Sequence, residues 1–206
     1  IFSQLYESRC DRYPAIRRTK FQMLHKLIMT VCLVALVQSS SAEQSSIPAY
    51  DRGEFGRWID RDSDCLNTRH ELLAALSTGA LLYSDNGCRV LRGRWIDPYT
   101  DTVFMDSSDL DVDHLVPLHW AWQRGAWSWT REHRVAFAND PINLIAVDDG
   151  TNRSKGANGP LDWLPPNDAY QCQYVLRFWR VSRMYNLEIG ANEQMALEAQ
   201  REKLCS

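Results

Sequence analysis

The sequence predicts an α+β fold with little sheet, closed by two disulfides. Three observations carry this. The 206 residues are 45% apolar and 24% charged, an ordinary composition for one sizeable core. Short stretches of period two alternate with longer stretches at helical spacing. Four cysteines, Cys65, Cys88, Cys172 and Cys205, lie in the part expected to fold. The composition excludes a disordered polymer, a collagen-like repeat and a polytopic membrane protein.

The leading segment reads as an address. Residues 1–22 are expected to be a disordered upstream extension. Residues 23–42 read as a signal peptide: a polar start at His25 and Lys26, an apolar run from Leu27 to Val37, then small residues with Ser40 and Ala42 at the peptidase positions. The run is too short to span a bilayer, which needs about 20 apolar residues. No stable membrane association is therefore expected after cleavage. Glu43 to Pro48 reads as a flexible lead-in, and residues 43–206 as a single domain. Residues 1–42 carry six Lys/Arg against two Asp/Glu; the remainder carries 17 against 24. The body is thus acidic, so a nucleic-acid partner would need a local basic site.

The elements follow in order. Thr68-Arg69-His70-Glu71 matches a capping box, with Leu72, Leu73 and Leu76 behind it, predicting a helix over Leu66–Thr78. Arg89–Ile96 reads as a strand, Asp97-Pro98-Tyr99-Thr100-Asp101 as a turn and Thr102–Met105 as its hairpin partner. Leu110–His114 alternates like a half-buried strand, stopped by Pro117. Leu118–Trp122 and Thr130–Ala138 read as short helices, the second capped by Thr130. Ile142–Val147 reads as a compact strand. A turn at Asp148-Asp149-Gly150 leads to a short helix from Thr151 to Lys155. Tyr174, Phe178, Val181 and Tyr185 form one stripe of a long helix. Asn192 is expected to cap a last helix ending at Leu204. The cluster Trp120, Trp122, Trp127 and Trp129 reads as core.

Four cysteines allow three pairings. Cys172 falls near the start of the long helix and Cys205 near the end of the last. Those ends are neighbours in an antiparallel pair, which favours Cys65–Cys88 and Cys172–Cys205. Such bridges belong to an exported protein. No C-x-x-C spacing supports a zinc cluster.

Chemistry-bearing residues concentrate between Asp111 and Lys155. Asp113 can ligate a hard divalent cation through oxygen. His114 can take a proton from water near neutral pH. Neighbours on a strand face opposite ways, so both can serve one site only where the strand ends or bends, and Pro117 allows that. An amide oxygen at Asn143 could accept from one imidazole nitrogen and leave the other free as base. Asn152 offers a second oxygen ligand. Arg153 and Lys155 put positive charge where a phosphodiester would sit. Arg69 and Glu71 start a helix and are candidates for a supporting role near the phosphate.

Asp113-His114 with Pro117, Asn143 and Asn152 resembles the HNH nuclease superfamily, whose ββα-metal fold wraps two strands and a helix around one ion. Asp109 through Leu118, Phe137-Ala138-Asn139-Asp140, Asn152 through Gly156 and Trp163-Leu164-Pro165-Pro166 resemble the secreted HNH-type endonucleases of bacteria and fungi. Those are related to the nuclease domain of GmrSD-type restriction systems. Cys65, Thr68, Arg69, Gly87 and Cys88 fit as well, so the resemblance spans Asp51 to Cys205. It implies Asp113 and Asn152 as metal ligands, His114 as general base and Asn143 as its supporting amide. It also implies one divalent cation, most simply Mg²⁺, with Mn²⁺ or another ion as alternatives. Many relatives end the motif with His. Asn is a weaker, neutral ligand, so modest metal affinity is expected.

The implied activity is metal-dependent hydrolysis of phosphodiester bonds in nucleic acid, DNA first, by a secreted endonuclease with little sequence selectivity. Nothing resembles a base-reading module, so phosphate contacts would dominate. Arg124, Arg131, Arg134, Arg177, Arg180 and Arg183 are candidate contacts. No obligate protein partner is implied. The alternative is a non-catalytic, disulfide-stapled binding or effector module that retains the fold.

Overall fold

The computed structural model describes residues 46–206. The expected extension at 1–22 and signal peptide at 23–42 lie outside the described residues. Pro48, within the expected flexible lead-in, is anchored: its carbonyl accepts from the Trp122 indole at 2.8 Å.

A 3-10 turn at Arg52–Phe55 opens the fold and buries Phe55. Helix α1 (Thr68–Leu76) follows, capped by Asn67, one residue before the expected Thr68. It ends at Leu76 rather than Thr78, because Ser77 is already extended. Strands β1 (Leu82–Tyr83), β2 (Val90–Asp97) and β3 (Thr102–Asp106) form an antiparallel sheet in that order. The Trp95 indole donates to the Leu73 carbonyl at 2.8 Å and locks this sheet to α1. In the turn after β2, Asp97 accepts from the Tyr99 amide and the Thr100 hydroxyl. That drives the Tyr99 ring fully into the core.

A second sheet holds β4 (Leu110–His114) antiparallel to β5 (Leu144–Asp148), with His114 opposite Leu144 and Leu110 opposite Asp148. The strand β5 starts two residues later than expected. Asp140 caps a 3-10 turn at Pro141–Asn143 by accepting from the Ile142 amide, and that turn takes Asn143 out of the strand. Helix α4 (Asp149–Lys155) follows β5 directly. Its cap is Asp148, which takes both the amide and the hydroxyl of Thr151, so the helix begins before the expected start.

Period two decides what β4 presents. Leu110 and Val112 face the side of α1, packing in clusters with Leu73 and Leu72 respectively. Asp111 and Asp113 face the other way, where Asn152 and Lys155 of α4 meet them. Helices α2 (Leu118–Trp122) and α3 (Arg131–Ala138, capped by Thr130 as expected) cover one end. Helices α5 (Asp168–Met184) and α6 (Ala191–Cys205) complete the core; Gly190, not Asn192, precedes α6. Trp120, Trp122, Phe137, Tyr174 and Phe178 are buried together, with Trp127, Trp129 and Tyr185 packed against them. Full burial of a phenylalanine such as Phe178 contributes about 2 kcal/mol.

Both expected disulfides are present. Cys65–Cys88 ties the segment before α1 to the stretch just ahead of β2, and Cys172–Cys205 joins the second turn of α5 to the end of α6. Each closes a loop whose unfolded entropy it restricts, by about 3 kcal/mol. Replacing Cys172 and Cys205 together by Ala is expected to lower unfolding free energy by about that amount, read from urea melts. An unchanged midpoint would mean that the α5–α6 packing suffices alone.

Candidate functional site

The C-terminal end of β4 opens into a cavity of about 310 Å³, lined by Asp113, His114, Tyr50, Arg52, His119 and Gly156 among others. The carboxylate and the imidazole therefore share one space although they are neighbours on a strand. The strand stops at His114, and Pro117 begins the turn into α2.

His114 is held on both sides. Its ring stacks on Trp58, with centroids 5.3 Å apart and planes 11° from parallel. Its Nε2 lies 2.9 Å from the Ala138 carbonyl. A carbonyl only accepts, so Nε2 carries the hydrogen and Nδ1 is the lone-pair nitrogen of the neutral ring. Ala138 ends α3, where carbonyls lack an intrahelical partner, so this oxygen is free for the task. Burial pushes the His114 pKa down to about 3; the Ala138 hydrogen bond opposes this, and the charges of Arg52 and Lys155 add to it. The ring is neutral at pH 7.

Asp113 is buried between two donors. Lys155 Nζ lies 2.9 Å from its carboxylate and also donates to the His114 carbonyl at 2.8 Å. The Tyr99 hydroxyl donates to Asp113 Oδ2 at 2.8 Å. Burial raises the Asp113 pKa and lowers that of Lys155, and each charge restrains the other's shift. Burial and the Asp113 charge also hold the Tyr99 phenol well above its usual range.

The other expected residues are placed differently from the sequence reading. Lys155, expected at a phosphate, has no exposed surface and serves Asp113 instead. A lysine reaching inward from the end of α4 can stay charged there only against a carboxylate. Asn143, expected to orient the imidazole, is fully buried and spends its amide on Val116: Oδ1 accepts from the Val116 amide at 2.9 Å, and Nδ2 donates to its carbonyl at 3.3 Å. It fixes the chain after His114, and Ala138 takes over the imidazole. Asn152 is not among the cavity's lining residues. Its Nδ2 donates to Asp111 at 3.1 Å, leaving Oδ1 without a protein donor among the described residues. Arg153 is exposed and pairs with Asp149 one turn back. Arg69 donates to the Ser107 and Leu110 carbonyls and braces the start of β4. Glu71 faces the acidic Asp60, Asp62 and Asp64, and burial with their charge raises its pKa. Of the candidate arginines, Arg124 pairs with Glu193, Arg134 is buried against Glu54, and Arg177 bonds Tyr170 and the Leu144 carbonyl. Arg180 and Arg183 are exposed, as is Arg131. Tyr99, Trp58, Arg52 and Ala138 carry no spacing signal that would have singled them out.

The fold and site define a disulfide-closed α+β domain with an imidazole and a carboxylate in one cavity. The chain belongs to the family described as GmrSD restriction endonucleases, C-terminal domain, whose sequence model matches residues 68–199. It is 40% identical over 150 residues, 72% of each chain, to an uncharacterized secreted protein of Arthroderma benhamiae. No solved structure matches. The protein is secreted, and its family points to a nuclease-related function.

Two outcomes test this geometry. Lys155→Met should destabilise by about 3–5 kcal/mol, because it leaves a buried carboxylate uncompensated. Thermal melts of Lys155→Met and of Lys155→Met/Asp113→Leu should show the second change recovering part of the loss. The unfolded His114 binds a proton near pH 6.5 while the folded one resists it to about 3. Its contribution is therefore present above pH 6.5 and is lost as pH falls toward 3, at no more than about 1.4 kcal/mol per pH unit. His114→Gln, which can still donate to Ala138, should show a shallower fall in Tm between about pH 7 and about pH 4.

Proposed function

We propose that the chain is a metal-dependent endonuclease of the HNH type, with β4, β5 and α4 as its ββα core and His114 as general base. The observation that carries this is the opening of Asp113 and His114 into one cavity, with the imidazole tautomer set by Ala138. Restriction endonucleases generally use divalent ions, and the residues fit one. Asp113 accepts from Lys155 and Tyr99, yet a carboxylate has about four acceptor positions, so capacity toward the cavity remains. Asn152 keeps an unclaimed amide oxygen on the adjoining helix. Asp113 would hold the ion; Asn152, which bonds Asp111 and does not line the cavity, is the weaker neutral donor that the family resemblance implies. Mg²⁺ is the simplest choice, since all these ligands are oxygen.

When bound, the ion supplies Lewis-acid stabilisation of charge on the phosphoryl oxygens. The chain's own residues do the rest. His114 Nδ1 would take a proton from the attacking water as the P–O bond to the leaving oxygen breaks and that oxygen is protonated by solvent, and the imidazolium so formed would donate a stronger Nε2–H hydrogen bond to the Ala138 carbonyl. A pKa near 3 makes the resting ring a poor base. An anionic phosphodiester beside it and beside Arg52 would raise that value as it binds, matching basicity to the occupied state. Lys155 and Tyr99 hold Asp113 ionised and aimed. Arg153 remains a candidate phosphate contact. Nucleic acid, DNA first, is the substrate, with little sequence selectivity.

Nicking of supercoiled plasmid in Mg²⁺ tests the reading. Wild type should cut, chelator should stop it, and His114→Ala should be slower by about 10²–10⁴. Asp113 substitutions should remove the thermal stabilisation that Mg²⁺ confers on the wild type. Cutting by the His114→Ala variant at the wild-type rate would overturn the assignment and favour a non-catalytic binding module.

A further inference from the structure

A larger cavity adjoins the His114 site. It has a volume of about 660 Å³ and is lined by Arg52, Arg57, Arg131, Trp58, Asn67, Gly53 and Gly56. Arg52 lines both cavities, and Trp58, which walls the larger one, is the ring stacked on His114. The two spaces thus lie side by side, with Arg52 between them and Trp58 backing onto the imidazole, and are called the groove below.

Its charge is concentrated and unspent. Among the described residues none of Arg52, Arg57 and Arg131 is paired with a carboxylate, whereas the ion pairs found there engage Arg124, Arg134, Arg153 and Lys155. Arg52 and Arg131 use one nitrogen each on the backbone carbonyls of Gly56 and Gly53, which orients the guanidinium and leaves its other donors outward. All three arginines are exposed. In a body that is acidic as a whole, this is a local anion site.

The wall is also hydrogen-bonded in place. Asn139, 2% exposed, accepts from the Ile59 amide and donates to the Arg57 carbonyl. The Thr68 amide donates to the Ile59 carbonyl at 2.7 Å. Arg57 and Trp58 are thus fixed to the end of α3, next to the Ala138 carbonyl that holds His114. A surface evolved only for solubility needs no such clamp beneath its arginines.

We propose that this groove is the substrate track: a single nucleic-acid strand lies along Arg131, Arg57 and Arg52 by its phosphates, passes Trp58, and delivers a phosphodiester to His114. The proposal rests on the nuclease reading and extends it to Arg52, Arg57 and Trp58, which precede the matched family region. The guanidiniums suit phosphate by forked hydrogen bonds, and an indole at the groove wall gives a base a surface to stack on. Contact with three phosphates predicts that log Kd rises with log salt with a slope of about 2 for a single strand.

The test uses a fluorescein-labelled single-stranded DNA of about 16 nucleotides and fluorescence anisotropy with the full domain, alongside the plasmid assay. Wild type should bind, and Arg57→Gln should weaken binding about three- to tenfold and lower the salt slope by about 0.7. Arg131→Gln should act likewise, and Arg92→Gln, an exposed arginine on β2 outside the groove, should not. Circular dichroism melts confirm that each variant folds. If wild type nicks plasmid but Arg57→Gln and Arg131→Gln bind and cut as it does, the track is wrong and the nuclease reading stands. If both variants lose binding while no protein cuts under any metal, the track stands and the nuclease reading fails. Binding to a sulfated polysaccharide with none to the oligonucleotide would overturn the track.

Discussion

A lysine ammonium without exposed surface stays charged only where a carboxylate meets it, and in this protein Lys155 meets Asp113. That pair joins the end of α4 to the end of β4, and the same ammonium also takes the carbonyl of His114. The cost of burying two charges is large, and the return in stability over an apolar pair is small or negative. What the pair secures is position. Tyr99, driven inward by the Asp97 turn, adds a second donor to the same carboxylate. The carboxylate that lines the cavity is therefore fixed from strand, helix and hairpin turn at once.

The imidazole next to it is fixed by a different element. The end of α3 leaves the Ala138 carbonyl without a helical partner, and His114 uses it. One residue on, Asn139 clamps Arg57 and Ile59. A single helix terminus thus sets the tautomer of the candidate base and the placement of the basic groove wall. Asn143 does comparable work on the far side by holding Val116 at the exit from β4. Buried amides in this fold serve backbone segments, and the reactive groups are positioned through those segments.

Electrostatics divides the molecule. The body carries more acid than base, which disfavours general attraction of polyanions. Most buried or half-buried arginines are committed: Arg134 to Glu54 and four carbonyls, Arg124 to Glu193 and the face of Trp120. Three arginines without ion pairs among the described residues, Arg52, Arg57 and Arg131, line the cavity that adjoins the His114 site. A phosphate reaching that groove would neutralise Arg52, one of the charges that keeps the imidazole from accepting a proton.

Much of this was legible in one dimension. Local signals persist whatever the tertiary context, so the alternation of Leu110–His114, the Thr130 cap, the stripe from Tyr174 to Val181 and the pairing of Cys172 with Cys205 could be read directly. The adjacency of Asp113 and His114, and the family they belong to, were equally visible. The roles of Lys155, Asn143 and Asn152 were not, because each depends on partners across about thirty to forty positions that only packing register selects. Nor was the groove. Arg52, Arg57 and Trp58 form no motif, and they reach His114 only because Asn139 and the stacking of Trp58 bring a distant stretch of backbone against the end of β4. Residue type and period determined the elements and the reactive pair; which side chain serves which neighbour was decided by three-dimensional contact, where burial makes each polar group find a partner.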